Sequence, residues 1–463
     1  MTQRNNVAYR ADGLIKGIAY GNGLTEARAY DLRGQLTNQA LGSEMRDYSY
    51  DLNGNLTQAV RTSGTSLYAY DVLDRLTQET SATVGNLGYS YDPNGNRLSL
   101  LDNGETKSYS YSPSTNRLTQ IGHKEVVLDA AGNTVSKDNG KWRYEYTASG
   151  RLFKVYKEGK WVATYLYNAQ GQRTQKTTKH GTTVYHYDQQ GHLIAETAKT
   201  GELQRAYVWL NDMPLAQIDR HGKGEEKSRK AKPAKETIAY LHTDHLGTPR
   251  IATDANQQIV WRWESDAFGA KKPEDLDDEH DDDHDITVNL RFPGQYFDKE
   301  TKLYYNWNRY YDPKIGRYIT SDPIGLAGGL NTFTYVGNNP LRFIDPEGLE
   351  GEAPNSPNPN FPDPTVPEPG LESPCVECII IPAARAGKIA KACIEIAKKE
   401  VIQKACKNSI LAAALGTAIC TQGAEGKPPG SARSYPQRRE EIENVRQATT
   451  TVPRRNTGGI SDK

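Results

Sequence analysis

The chain has 463 residues, enough for two or three domains, and its 57 Lys+Arg balance 57 Asp+Glu. Zero net charge excludes a histone-like basic protein, so a nucleic-acid or membrane partner would have to be argued from a local patch. No run of 18 apolar residues occurs and the opening MTQRNNVAYRADG lacks the apolar segment of a secretory signal, so neither a stable membrane span nor a Sec route is expected.

Tyrosine dominates the aromatics, 28 against 7 Phe. A ring that packs on one side and keeps its hydroxyl wet suits a sheet with one solvated face, which points to a mainly β fold. From the N-terminus the chain repeats itself: ARAYDLRGQLT, DYSYDLNGNLT, LYAYDVLDRLT, GYSYDPNGNRL, SYSYSPSTNRL, VVLDAAGNTV, RYEYTASGRL, TYLYNAQGQRT, VYHYDQQGHLI. The anchors Tyr30, Tyr50, Tyr70, Tyr91, Tyr111, Leu128, Tyr146, Tyr167 and Tyr187 follow one another at 20, 20, 21, 20, 17, 18, 21 and 20 residues. Each unit reads as a strand with alternating aromatics, a D-x-x-G or N-x-x-G turn, and a second strand opening with Leu or Arg. Asp or Asn opens such a turn by bonding its own backbone, and Gly accepts the positive φ where the chain reverses. One hairpin cannot bury its apolar face, so the units are expected to pair side by side into a continuous, curving ribbon.

After a charged stretch, HGKGEEKSRKAKPAKE (221–236), read as a surface linker, comes YLHTDHLGTPRIATDANQQIVWRWESDAFG (240–269). The run from Glu274 to Asp285 carries nine acidic residues plus His280 and His284. It is read as a solvated, self-repelling loop, with divalent-cation binding as the sharper alternative. The block GQYFDKETKLYYNWNRYYDPKIGRYITSDPIGLAGGLNTFTYVGNNPLRFIDPEGL (294–349) follows. It holds two Asp-Pro-x-Gly motifs, one with Asp322, Pro323 and Gly325, the other with Asp345, Pro346 and Gly348, the second followed by Leu349. Each is a good type I or II turn on its own. Two carboxyls brought into one site would do more: they cannot both ionise easily, so one holds a proton as acid while the other activates water against a peptide carbonyl.

The repeats resemble the tyrosine-aspartate (YD) repeats of the RHS (rearrangement hotspot) family, and residues 240–269 and 294–349 are similar to its core segment and C-terminal core motif, roughly residues 20–349 in all. The resemblance implies a β-hairpin ribbon curling into a partial shell, or cocoon, around a variable polymorphic-toxin tail. It also implies self-cleavage after the Leu of the last D-P-x-G-L, here between Leu349 and Glu350, by paired Asp322 and Asp345, with Arg309 positioning or tuning them. An Arg within hydrogen-bonding distance would hold one carboxylate ionised, as a base requires. No cofactor and no metal are expected. Nine or ten repeats are fewer than a full shell, and no delivery domain precedes them, so the chain reads as the C-terminal part of a longer protein or a shortened relative. The family further implies synthesis in the cytoplasm, non-Sec export by a dedicated secretion system such as type VI, use in interbacterial competition, and a cognate immunity protein.

The expected domains are a YD-repeat shell (1–239), a core segment with the aspartyl site (240–349), a linker (350–380) and a variable effector module (381–463). Eight of the 24 prolines fall between Pro354 and Pro374, which disfavours helix and central strand and reads as an extended linker. Residues 384–420 show helical spacing at Ile394, Ala397, Val401 and Ala405, giving a small α-helical C-terminal module of core-facing or membrane-lytic helices. All five cysteines (375, 378, 393, 406 and 420) lie in the last 90 residues; Cys375-x-x-Cys378 could be a redox pair or half a zinc site, but the others form no second C-x-x-C, which favours disulfides or buried thiols. From Ile381 on, 15 Lys+Arg face 7 Asp+Glu, a surplus that a nucleic acid or nucleotide target would select. No His lies beyond His284, so a His-dependent nuclease or hydrolase cannot be assembled from the tail alone. An ADP-ribosyltransferase, a His-free nuclease or a pore former remains open for the effector. The competing reading of the whole chain is a non-toxic structural or binding surface, its Tyr-rich strands meeting glycans or protein, with a decayed tail.

Overall fold

The computed structural model describes residues 7–221, 235–274 and 286–354. The chain divides into two units, Met1–Thr417 and Ala418–Lys463, and every described residue belongs to the first. The expected C-terminal helices, the cysteines, the basic tail, most of the proline-rich linker, residues 222–234 and the acidic run from Asp275 with its two histidines lie outside the described residues.

One antiparallel sheet of 25 strands runs from Val7–Tyr9 to Ile259–Arg262. Strands adjacent in sequence are adjacent in the sheet, as successive hairpins dictate. The second full repeat shows how one unit is made. Strand Glu44–Tyr50 pairs with Leu56–Arg61, Tyr48 opposite Ala59, with a bulge between Ser49 and Tyr50. The Gly54 N–H donates to the Asp51 carbonyl (3.1 Å) and the Asn55 N–H to Asp51 Oδ1 (2.8 Å), the self-bonded turn that Asp favours.

Alternation then sorts the paired tyrosines of the seven units that carry two. The first of the pair, Tyr48, Tyr68, Tyr89, Tyr109, Tyr144, Tyr165 or Tyr185, is buried with the leucine opening the second strand, such as Leu56 or Leu76. The second has a half-buried ring, and its hydroxyl departs from the wet group that composition suggests. It donates to the carbonyl of the residue opening the second strand of the preceding unit: Tyr50 to Leu36 (2.8 Å), Tyr70 to Leu56 (2.8 Å), Tyr91 to Leu76 (2.8 Å), Tyr111 to Arg97 (2.9 Å) and Tyr187 to Arg173 (2.9 Å). Phe would fill the same space without tying one hairpin to the next, which gives Tyr its excess. Each such bond contributes about 1 kcal/mol.

Among the described residues the sheet does not close by backbone pairing; residues 22–44 near its start meet its last strands through side chains. Asn22 Nδ2 donates to the Asp254 carbonyl (2.8 Å), Gln39 Nε2 to that of Thr243 (2.7 Å), and Arg262 pairs with Glu44 (2.8 Å). The buried face is covered by the chain's own core segment. A small sheet of Tyr296–Phe297, Tyr304–Asn306, Arg309–Asp312 and Arg317–Tyr318, with Trp263, Phe292 and Tyr335, packs in one aromatic cluster against the ribbon, while Phe268 packs in a second with Tyr48, Tyr68 and Tyr89. Arg173 of the ribbon, fully buried among the rings of Tyr185 and Tyr305, pairs there with Asp298.

Candidate functional site

The core segment is held by the turns of the ribbon, and that is how distant residues of the site come together. Asn331 Nδ2 donates to the Asn94 carbonyl (3.0 Å) and Asn96 Oδ1 (2.8 Å), and Asn339 Nδ2 to Asn55 Oδ1 (2.8 Å) and the Asp74 carbonyl (2.8 Å). These clamps seat the chain leading into Asp345. On the other side Arg151 donates to the Trp307 carbonyl (2.9 Å) and Asn308 Oδ1 (2.7 Å), fixing the loop before Arg309.

Both Asp-Pro-x-Gly motifs are turns: the Gly325 N–H donates to the Asp322 carbonyl (3.0 Å) and the Ile324 N–H to Asp322 Oδ1 (3.0 Å), while the Gly348 N–H faces the Asp345 carbonyl (3.4 Å). The same two aspartates also meet at one guanidinium, so the turn and the shared site are one arrangement. Arg309 Nη1 lies 2.9 Å from Asp322 Oδ2, and Nη2 lies 3.1 Å from Asp345 Oδ2. The remaining donors are spent on the backbone: Nε on the Gly348 carbonyl (2.6 Å), Nη1 on that of Thr332 (3.2 Å) and Nη2 on that of Leu349 (3.3 Å). Arg309, Asp322 and Asp345 are all buried.

The bond between Leu349 and Glu350 lies beside them. The Leu349 N–H donates to Asp345 Oδ1 (2.8 Å), and the Leu349 carbonyl accepts from Arg309. A Cβ added to Gly328 would collide with both Asp322 Oδ2 and the Leu349 carbonyl oxygen, so that carboxyl and that carbonyl flank a single spot. Gly348, at φ 67°, would drive a Cβ into the Asn306 carbonyl, which is why the last turn needs glycine there. Pro346 abuts Gly294, whereas Pro323 is exposed at the outside of its turn. Glu350 is exposed, and beyond it Glu352 pairs with Ile344 through two backbone bonds of 2.9 and 2.8 Å.

One guanidinium opposite two buried carboxyls cannot neutralise both, so the site favours one retained proton. Burial pushes the Asp322 carboxyl up to about 6 even though Arg309 opposes it. Burial also raises Asp345, but Arg309, the Tyr318 hydroxyl and the Leu349 N–H all favour its charged form. Both carboxyls are thus raised by burial, and Asp345 has more donors favouring its charged form than Asp322.

Sequence reasoning did not single out Tyr318, Asn306, Thr332 or Gly328. Each contributes through a contact with no local signature: Thr332 by its carbonyl, Gly328 by having no side chain, Tyr318 by a hydroxyl aimed at Asp345 (2.6 Å), and Asn306 by donating to the Asp345 carbonyl (2.9 Å). Among the described residues no helix is long and apolar enough to cross a membrane. The repeat tyrosines on which a glycan- or protein-binding surface would rest are turned toward the core or engaged with backbone carbonyls.

Known proteins share this organisation. A family model described as teneurin YD-shell matches residues 61–197, and one described as RHS protein matches residues 238–275. The double-stranded DNA deaminase toxin A of Burkholderia cenocepacia is 30% identical over 318 residues, covering 59% of this chain and 21% of that protein. The toxin protein Tse5 of Pseudomonas aeruginosa is 44% identical over 112 residues, 24% of this chain and 8% of that protein. The tRNA3(Ser)-specific nuclease WapA of Bacillus spizizenii is 28% identical over 270 residues, 56% of this chain and 11% of the nuclease. The matched stretch is thus a small part of each relative's length. A crystal structure of TcdB2-TccC3-Cdc42 superposes with a TM-score of 0.59 at 21% identity, covering 74% of this chain and 19% of that one, which establishes the shared fold.

Proposed function

The chain belongs to the RHS, or YD-repeat, family, and from that premise we propose that it cuts itself between Leu349 and Glu350 by aspartyl proteolysis, freeing residues 350–463 as an effector. One observation carries the reading: two buried carboxyls share the Arg309 guanidinium, which also touches the carbonyl of the bond to be cut.

The proposed chemistry takes Asp345 as the base and Asp322 as the acid. Asp345, as carboxylate, takes a proton from water as the water oxygen adds to the Leu349 carbonyl carbon. Arg309 stabilises the negative charge that develops on the carbonyl oxygen. Asp322 then gives its proton to the Glu350 nitrogen as the carbon–nitrogen bond breaks, leaving a new carboxyl on Leu349 and a new amine on Glu350. The released segment is read as the toxin of a system used between competing bacteria, exported by a dedicated secretion apparatus and neutralised in the producer by an immunity protein. The relatives named as a tRNA nuclease and a DNA deaminase, together with the surplus of basic residues after Ile381, favour a nucleic-acid target.

The intact mass of the purified chain tests the cleavage. Wild type is expected as two fragments divided after Leu349, and Asp322→Asn and Asp345→Asn as a single 51.5 kDa species. An uncut wild type removes the proposal. Inducing residues 350–463 in a bacterial cytoplasm tests the effector role; unaltered growth despite soluble expression would favour the decayed-tail reading.

A further inference from the structure

Tyr318 closes the base of the site. Its hydroxyl donates to Asp345 Oδ2 (2.6 Å) and accepts from Asn306 Nδ2 (2.7 Å), and its ring lies 3.6 Å beneath the Arg309 guanidinium carbon. The side chain is fully buried, so no solvent competes for either contact. Resting on the proteolytic reading, we infer that Tyr318 is a positioning residue for the cleavage: its hydroxyl keeps Asp345 ionised as the base, and its ring fixes the guanidinium plane.

Three physical arguments meet at this residue. A hydrogen bond donated to a carboxylate favours the charged form, and in a buried site that bond is stronger than in water. A guanidinium stacked on an aromatic face loses its freedom to rotate. Here that stacking lets Nη1 meet Asp322 while Nη2 meets Asp345 and the Leu349 carbonyl. Asn306 orients the phenol by donating to its oxygen, which leaves the phenolic proton for Asp345. The titratable groups facing Asp345 are Arg309, Asp322, Tyr318 and Tyr335, with Glu352 beyond, and among these Arg309 and Tyr318 bond its carboxyl directly. Losing the phenolic proton therefore removes one of two side-chain donors to the base.

The test follows cleavage of the full chain, pulse-labelled in cell-free translation and moved into buffers from about pH 4 to about pH 8, for wild type and Tyr318→Phe. The expected result is cleavage about tenfold to a hundredfold slower. The acid limb of the pH profile, which reports ionisation of the base, should move up by about one pH unit. Replacing Tyr318 with a ring-fluorinated tyrosine, a stronger donor of the same shape, should move that limb the other way. It keeps the inference testable where the Phe variant folds poorly. An unchanged rate and profile in the Phe variant overturns the inference while leaving the proteolytic reading intact, as does a slower rate with the acid limb in place, which would mark Tyr318 as packing only. A wild type that never cuts removes the proteolytic reading itself.

Discussion

Along the ribbon, Tyr50, Tyr70 and Tyr91 each reach the carbonyl of a residue 14 or 15 positions earlier, in the unit just completed. In the core segment Tyr318 reaches an aspartate 27 positions ahead, and Asn339 reaches Asn55 across 284 positions. The ribbon's bonds can form hairpin by hairpin, each unit offering its edge to the next. Those of the core segment need the ribbon's turns already in place, because the partners are aligned only once the repeats are stacked. The same residue type thus serves as a spacer between units in one region and as part of a charged site in the other. A defect in the ribbon should stay local, whereas a defect at the core segment should affect both stability and cleavage.

The largest expected effect is that of Arg309→Met, which leaves two buried carboxyls facing one another without their cation. Urea unfolding at neutral pH should show a loss of about 3–5 kcal/mol. A loss below about 1 kcal/mol would mean that the site is held by its turns rather than by charge.

Asn339→Ala removes two bonds between core segment and ribbon and should cost about 1–3 kcal/mol. Hydrogen exchange should quicken around Asp345 while the Tyr50 and Tyr70 units keep their protection. Uniform quickening throughout would erase the distinction between the two regions.

The cleavage rate should fall about tenfold for each pH unit above about 6. The carboxyl of Asp322 is raised in the folded chain, so its protonated form, needed as the acid, is present below that pH and lost as pH rises through it. By linkage, this group's contribution to stability is also greatest at low pH and declines across the same window. A rate that climbs steadily from pH 6 to 8 would contradict the assignment of Asp322 as the acid.

Tyr70→Phe should cost about 1 kcal/mol by thermal unfolding and leave cleavage unchanged, since the ring stays and only the bond to Leu56 goes. The smallest change is expected for Leu52→Ser. That side chain projects fully from its turn, and stability should stay within about 0.5 kcal/mol of wild type.

The periodic units were legible because strand alternation and turn chemistry are encoded within some 20 consecutive residues. Resemblance marked Arg309, Asp322, Asp345 and Leu349, and it alone paired the two aspartates, since each Asp-Pro-x-Gly motif reads locally as a turn. Composition misjudged where the tyrosine hydroxyls go, because an amino-acid count cannot tell a wet hydroxyl from one bonded to the neighbouring hairpin.

What the sequence determined alone is the hairpin period, the turns at each reversal and the break in composition after Leu349. Tertiary structure decided that Asp322 and Asp345 share one guanidinium, that Tyr318 and Asn306 support Asp345, and that Gly328 leaves room beside the Leu349 carbonyl. The reason is physical: turns and strands follow from forces between near neighbours in the chain. A buried charge cluster exists only where packing of the whole ribbon removes water and aligns donors that local sequence leaves independent.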